Sequence, residues 1–196
     1  MAIETICALL SGGNDASCLA PARKYHQQAV LINKSDIDPA TVTISSPAGV
    51  TCNYNVEFSL KAGKTGYKFL GPAAGSNFLG SYDKSRSDLG FPQYKQNAQI
   101  LIAGVTEAAK CILDSLDKGS FVVALQLLDG TVEIYGIGNG LTTGDYTYDI
   151  QGGGGGTPVL LSSLDDAPEN YLPFVYNPGV GGDANADFDD NFNNPI

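Results

Sequence analysis

One histidine and four cysteines are the first candidates for catalysis or metal binding in this chain of 196 residues. Cys18 and His26 lie eight residues apart, and a thiol beside an imidazole can act as a nucleophile with its base. No family signature surrounds either residue, so we interpret them as unrelated residues near an N-terminal turn. A zinc site needs four ligands, and Cys7, Cys18 and His26 lack the usual spacing while Cys52 is remote. We therefore predict neither a thiol enzyme nor a metal centre, and we expect free thiols.

A glycine-rich stretch, Gly136-Ile137-Gly138-Asn139-Gly140, is the second candidate. A dinucleotide site would need a further glycine at fixed spacing and a helix directly after it. This stretch has neither and follows a predicted hairpin strand, so we interpret its glycines as turns. The chain also contains no Gly-Lys-Ser/Thr phosphate loop and no Gly-x-Ser-x-Gly elbow. We therefore predict that the protein is not an enzyme and takes no cofactor.

Oxygen-bearing side chains recur at alternate positions near the C-terminus, at Asp183, Asn185, Asp187 and Asp189. That spacing matches the start of a calcium-binding loop. However, Phe188 stands where such a loop requires glycine, and Asn194 stands where it uses a bidentate glutamate. The surrounding composition of Asn, Asp, Gly and Pro favours an acidic, poorly packed tail over residues 177–196, with calcium binding as the alternative.

The charges of the chain are strongly segregated. All eleven Lys and Arg residues lie at or before Lys118, and the 78 residues after it hold eleven Asp and Glu. The net charge of −10 is therefore concentrated in the last two-fifths of the chain. This asymmetry predicts a negative face or tail, which repels a phosphate polymer because binding one requires Lys and Arg to displace its counterions.

A Gly/Ser/Lys-rich stretch over residues 61–93 mixes basic and aromatic side chains. A loop of this length inside a compact domain is usually functional or mobile, although the stretch could also contain one or two strands, for example around Tyr67–Leu70. Such a mix suits base stacking or docking on the acidic surface of a neighbouring copy, and the net negative charge favours the second. We therefore predict a long inter-subunit loop with these contact residues: Lys64, Tyr67, Phe69, Phe78, Tyr82 and Arg86.

Two local patterns fix the expected architecture around these candidates. Ala108, Ala109, Ile112, Leu113 and Leu116 form an apolar stripe, which predicts a helix over about residues 105–117 with Thr106 as its N-cap. The runs Phe121–Leu128 and Thr131–Tyr135 flank Asp129-Gly130, which predicts a hairpin with a two-residue type I′ turn.

Short apolar or alternating runs predict the remaining strands. They lie at Ala29–Ile32, Thr41–Ser45, Tyr54–Leu60, Gln99–Ala103, Tyr146–Ile150, Pro158–Leu164 and Tyr171–Tyr176. The glycine run Gly152–Gly156 predicts a flexible loop. The fold class expected is mainly β with some helix (α+β), as a single β-rich domain over residues 1–176 followed by the tail.

No targeting or membrane signal stands out in the sequence. The chain holds no run of ~18 apolar residues, and Glu4 stands where a signal peptide carries a base. We therefore expect a chain that is made and kept in the cytoplasm and has no membrane partner.

The order of these elements resembles the structural virion proteins of tailed bacteriophages, particularly tail-tube-type proteins of phages infecting Bacteroidetes. The resemblance covers roughly residues 95–176 and, more loosely, the N-terminal part. It rests on the strand and helix Gln99–Leu116, the hairpin Phe121–Tyr135, the linker Gly138–Leu141 and the closing strand Tyr171–Val175.

This resemblance implies a β-sandwich or barrel with a flanking helix and no catalytic residues. It further implies copies that form rings, commonly hexameric, which stack into a tube whose acidic wall lets DNA pass without specific binding. The implied location is the phage tail of the virion, assembled in the host cytoplasm beside other virion proteins. Alternatives are a head–tail completion protein, a capsid decoration protein, or a β-sandwich module that binds a ligand or calcium.

Overall fold

The structure is a computed structural model, and it describes residues 25–45, 53–71, 78–104, 106–148 and 156–194. For residues 25–27 it describes the backbone alone. The predictions for Cys7, Cys18, Cys52 and residues 152–155 of the predicted glycine loop lie outside the described residues, and Gly156, the last residue of that loop, begins a strand. His26 lies in the first strand, and its side chain is also outside them.

Within the described residues the chain forms eleven strands, two α-helices and one 3-10 turn at Lys34–Asp36. In chain order the strands and helices are β1 Tyr25–Asn33, β2 Thr43–Ser45, β3 Asn55–Glu57, β4 Tyr67–Leu70, β5 Leu79–Arg86, β6 Pro92–Ala103, α1 Glu107–Leu116, β7 Phe121–Leu127, β8 Val132–Tyr135, β9 Thr142–Thr143, β10 Gly156–Ser162, β11 Phe174–Tyr176 and α2 Ala184–Asp189.

The strands form two open sheets. One has seven strands in the order β2-β3-β11-β8-β7-β1-β4, and the other has four in the order β5-β6-β10-β9. Neighbouring strands are antiparallel except β3 and β11, which are parallel. The predicted mainly β, α+β class is confirmed. Of the two predicted architectures, the described strands form packed sheets and no closed barrel.

The first core lies between the two sheets and beneath α1. Alternate residues of β1 and β7, such as Leu31 and Val123, point into it and meet Ile100 of β6 and Leu161 of β10. Each of these side chains is at most 1% exposed. Because successive residues of a strand face opposite sides, one face of β1 and β7 is fully used in this contact.

The opposite face of the seven-stranded sheet carries a second core, and the C-terminal segment completes it. Phe188 of α2 and Phe192 after it are buried against Phe58 and Tyr176, with the rings of Phe58 and Phe192 stacked 5.5 Å apart. Backbone hydrogen bonds also join residues 191–194 to residues 63–66, including Gly66 N to Asn191 O at 2.8 Å. The prediction of a poorly packed tail over 177–196 is therefore wrong for residues 184–194, which Phe188 and Phe192 anchor, whereas residues 177–183 are largely exposed.

Helix α1 follows the sequence prediction closely. The Thr106 hydroxyl accepts a hydrogen bond from Ala109 N at 3.2 Å, so Thr106 caps the helix as predicted. The buried stripe is Ala109, Leu113 and Leu116. The prediction placed Ala108 and Ile112 on the same stripe, but both are exposed and leave an apolar strip on the outer surface of the helix.

The β7–β8 hairpin is confirmed, but its turn is one residue longer than predicted. Gln126 pairs with Val132, and Leu127 N donates to Thr131 O at 2.8 Å, so the loop contains Leu128, Asp129 and Gly130. Gly130 has φ +90°, the left-handed conformation that closes a three-residue hairpin loop. The Asp-Gly pair therefore serves a different turn from the predicted type I′ turn.

The predicted strand at Tyr146–Ile150 is absent from its described part, residues 146–148. Thr142–Thr143 instead forms the short edge strand β9. Tyr146 packs partly against the first core, and its hydroxyl donates to Asp117 at 3.0 Å. An apolar contact and a side-chain hydrogen bond thus hold residues 146–148 in place, whereas backbone pairing of a strand was predicted.

A buried glutamine joins the two sheets. The Gln96 side chain, on β6, donates to Tyr171 O at 2.9 Å and accepts from Gly136 N at 2.8 Å. Gly136, which directly follows β8, has φ +77°, and Gly140 has φ +86°. The interpretation of Gly136–Gly140 as a turn between strands is confirmed.

We predict that the C-terminal aromatic anchor is essential for stability. Phe188→Ala removes a side chain that is 0% exposed, so it should lower the free energy of unfolding by about 3–5 kcal/mol. Val180→Ala, at a fully exposed position of the same segment, should change it by less than ~0.5 kcal/mol. Urea unfolding monitored by circular dichroism measures both. Equal stability of the two variants would show that this segment does not support the sheet.

Candidate assembly interface

The predicted 61–93 loop is two strands that belong to different sheets. β4 pairs with β1 and ends the seven-stranded sheet, while β5 pairs with β6 and ends the four-stranded sheet. The long-loop prediction is therefore wrong, and the alternative of one or two strands in this stretch, with one around Tyr67–Leu70, is confirmed. β5 gave no alternating signal because almost all of its residues are exposed on both faces.

The predicted contact residues before β5 occupy three kinds of site. Tyr67 is exposed on β4, while Phe69 on the same strand packs partly against the first core. Lys64 precedes β4 and pairs with Asp36 at 3.3 Å. Phe78 is buried in the first core, so its prediction as an inter-subunit contact is wrong.

The two predicted contact residues on β5 belong to one hairpin with β6. The exposed ring of Tyr82 meets Tyr94 edge-on, with the ring centroids 6.1 Å apart. Arg86 Nη1 donates to Gly90 O at 2.9 Å and so braces the hairpin turn. The structure therefore places Tyr82 along the exposed side of the β5–β6 hairpin and Arg86 at its end.

The end of this hairpin, Arg86–Phe91, is an exposed apolar tip that the sequence reasoning missed. Gly90 N donates to Ser87 O at 2.8 Å and Ser87 N donates to Phe91 O at 2.9 Å, so the turn is closed by its own backbone. Leu89 is 85% exposed and Phe91 is 66% exposed. No residue from 81 to 93 is buried. The sequence signal for this tip was a Leu and a Phe on either side of a glycine between two strands.

A second exposed apolar feature is a groove of about 870 Å³ between β4 and α1. Its walls include the exposed side chains of Tyr67, Leu70 and Ile112 and the exposed free thiol of Cys111. The charged residues of its lining are lysines, Lys68 and Lys118, with no carboxylate among them. Both lysines are paired with carboxylates of the same chain, Lys68 with Asp189 at 3.2 Å and Lys118 with Asp114 at 2.7 Å, so the groove is an apolar surface whose lysine charges are already balanced.

Each of the four predicted calcium ligands contacts a different group of the chain. Asp183 caps α2 through Asn185 N, Asn185 Oδ1 accepts from Gln126, Asp187 accepts from the Tyr176 hydroxyl, and Asp189 pairs with Lys68. Within the described ranges, no group of three or more His, Cys, Asp or Glu residues could hold a metal ion. The structure therefore does not bring the four predicted ligands together.

The acidic residues after Lys118 are distributed over a folded surface. Asp183, Asp189 and Asp190 are exposed on and around α2, and Lys68 contacts this group at 3.2 Å from Asp189. The predicted negative region is thus part of the domain surface, carried by a segment that packs on the second core.

The strongest candidate for acid–base chemistry is Glu169, a carboxyl group that is 2% exposed. Its Oε1 accepts from Asn139 N at 2.7 Å, and the backbone N–H groups of Gly138 and Gly140 also bond to it. Lys34 lies close enough to act on it by charge, and Lys34 Nζ itself donates to Ile137 O. The glycine-rich turn therefore encloses a carboxylate of the same chain.

Burial is the main influence on this group. It raises the pKa of the Glu169 carboxyl, and the N–H donors and the charge of Lys34 only partly oppose that effect. Burial likewise lowers the pKa of Lys34. Glu169 is not part of the lining of the groove. We therefore assign this pair a structural role, in which the carboxylate holds the Gly136–Gly140 turn.

The chain was compared with known protein families, curated proteins and solved structures. No protein-family model, no curated protein and no solved structure matches the chain. Among the described residues, no helix is long and apolar enough to cross a membrane.

The raised pKa of Glu169 predicts how the free energy of unfolding changes with pH. Its folded pKa is raised above the ordinary 4.5, so the folded chain holds this proton more tightly than the unfolded chain. Its contribution to stability is therefore full below the ordinary pKa and is lost as pH rises through the raised value. Each tenfold difference in proton affinity between the folded and unfolded chains corresponds to about 1.4 kcal/mol of that contribution.

The measurement is urea unfolding of the wild type and of Glu169→Gln from about pH 4 to about pH 7. The variant keeps an oxygen acceptor for Asn139 N–H but cannot titrate. The wild-type stability should fall relative to the variant as pH rises. A constant difference across this range would show that the pKa of Glu169 is not raised.

Proposed function

We propose that this protein is a non-enzymatic structural subunit that assembles with copies of itself. The observation that carries the proposal is the exposed β5–β6 hairpin, which ends in Leu89 and Phe91. A stable turn that holds two large apolar side chains in water indicates a contact surface, because such exposure is unfavourable unless a partner covers it.

The open sheets support the same proposal. β2 and β4 end one sheet while β5 and β9 end the other, and β5 is eight residues long. Edge strands present unpaired N–H and C=O groups, which favour pairing with another chain. Joining copies through such edges gives closed rings or open stacks according to the rotation between subunits.

We place this assembly in the tail tube of a bacteriophage virion, formed by stacked rings around a channel for DNA. The support is the sequence resemblance over residues 95–176, which also implies hexameric rings and other virion proteins as neighbours. The acidic surface at Asp183, Asp189 and Asp190 fits this placement, because a negative channel wall repels the DNA backbone. A head–tail completion or capsid decoration protein would share the structural role in another part of the virion.

A ligand-binding β-sandwich module is the second candidate function. The observation that favours it is the apolar groove between β4 and α1, whose volume of about 870 Å³ is within the range of small-molecule sites. A module of this kind would remain monomeric and would gain thermal stability when its ligand is added. Self-association therefore separates the two candidates.

We predict that the hairpin tip drives self-association. Leu89→Ser combined with Phe91→Ser removes both exposed apolar side chains, so assembly should weaken by at least tenfold in concentration. Sedimentation velocity over a concentration series measures this shift. Because neither side chain is in the core, the variant should unfold at the wild-type urea concentration.

The matched control is Leu128→Ser, which changes a leucine that is 60% exposed at the tip of the β7–β8 hairpin. It should leave association unchanged. If the control weakens association as much as the double variant, general surface hydrophobicity and not the β5–β6 tip controls assembly.

The placement around DNA makes a separate prediction. Duplex DNA should not be retained by the assembled protein at physiological salt, because the last 78 residues offer eleven carboxylates and no cation to replace counterions. An electrophoretic mobility shift experiment measures retention. Tight, salt-sensitive binding would contradict a channel through which DNA slides.

A further inference from the structure

The chemistry of the groove between β4 and α1 selects an apolar occupant. Its walls expose Tyr67, Leu70 and Ile112 to water. Its two lysines already pair with Asp189 and Asp114 of the same chain, so no unbalanced charge attracts an anionic ligand. Because exposed apolar area is unfavourable in water, the occupant that fits carries several large apolar side chains and few charges.

The sequence contains one segment of this chemistry outside the described residues. Residues 1–10 include eight apolar residues and a single charged side chain, Glu4. The internal stretches outside the described residues, 46–52, 72–77 and 149–155, each contain at most one large apolar side chain. The large apolar side chains of the first ten residues are Met1, Ile3, Ile6, Leu9 and Leu10.

This segment joins the fold beside the groove. Gln28 of β1 pairs with Leu70 of β4, and Leu70 lines the groove. Tyr25, where β1 begins, lies three residues further along that strand, a distance of about 10 Å. A stretch of chain as long as residues 11–24 spans up to about 46 Å when fully extended. Residues 1–10 can therefore reach the groove of their own chain.

The covalent connection favours this occupant over a separate molecule. Two groups joined by a short stretch of chain meet at an effective concentration of the order of millimolar. A free ligand, or a second copy at lower concentration, competes with the connected segment at a disadvantage.

We propose that the groove between β4 and α1 is the binding site for residues 1–10 of the same chain. This contact does not depend on the proposed self-assembly. Leu101 of β6 lines the groove, whereas the β5–β6 tip lies next to Pro92 at the other end of that strand, about 30 Å away. Binding of residues 1–10 therefore leaves the tip exposed for contact with another copy.

Two native thiols permit a direct test. Cys7 belongs to the segment, and the exposed Cys111 lines the groove. Dilute wild-type protein, half of it labelled with 15N, is treated with a short bismaleimide, and the joined peptides are identified by mass spectrometry. Cys52 is the internal control, because it precedes β3, which lies five strand spacings, or about 24 Å, from β4 in the seven-stranded sheet.

Binding within the chain should join Cys7 to Cys111 in peptides that are both labelled or both unlabelled, while Cys52 should not be joined to Cys111. Absence of the Cys7–Cys111 link would overturn the inference. Links that mix labelled and unlabelled peptides would also overturn it and would assign the groove to a neighbouring copy.

A second measurement uses the reactivity of Cys111 toward N-ethylmaleimide. Replacing residues 2–10 by a Gly/Ser stretch of the same length should raise the rate at Cys111 at least fivefold, because the apolar cover is lost. The control replaces residues 72–77, which contain no large apolar side chain, and should leave that rate unchanged. Equal rates in the wild type and the first variant would contradict the inference. Sedimentation velocity of the same variant measures self-association separately, so the two proposals can fail independently.

Discussion

The whole fold depends on burying both faces of the central strands β1 and β7. Val30, Leu31, Val122 and Val123 are each at most 1% exposed, although neighbours along each strand point to opposite sides. Each face therefore needs its own cover. The four-stranded sheet and α1 cover one face, and the C-terminal segment with Phe188 and Phe192 covers the other.

This constraint explains why the exposed apolar features lie at the periphery. Once the four-stranded sheet has covered the central strands with β6 and β10, the β5 side of that sheet has nothing left to cover and remains exposed. The same arrangement leaves β4 at an open edge beside the outer surface of α1. A fold with a well-filled interior thus presents an apolar tip and an apolar groove as separate exposed features, which is the basis for proposing assembly.

The sequence predicts those elements whose signal is local. Thr106 marks the start of α1 because its hydroxyl satisfies a backbone donor of the first turn, and this interaction needs no tertiary context. The apolar run Ala29–Ile32 predicts a strand, since a doubly buried strand has no polar face. The sequence predicts the Asp-Gly turn of the β7–β8 hairpin, but the loop has three residues where two were predicted. Its length follows from the register of the paired strands, which partners across the sheet set.

The sequence fails where tertiary contacts decide. The segment after residue 177 has the composition of a disordered tail, yet two aromatic residues four positions apart, Phe188 and Phe192, anchor it to the sheet. β5 lies in a stretch predicted as loop, because an exposed edge strand needs no alternation of apolar residues. Tyr67, Tyr82 and Arg86, which the sequence singled out as contacts, lie on the exposed strands β4 and β5. The apolar tip and the groove are visible only from the pairing of β5 with β6 and of β4 with β1.

The central claim is that this chain assembles with copies of itself. Negative-stain electron microscopy of the purified wild type over a concentration series tests it most directly. Self-assembly into a tail tube predicts rings or tubes with a central channel, which become more frequent as concentration rises. A uniform population of monomers at every concentration would contradict it and would leave the groove as the site of a ligand-binding module.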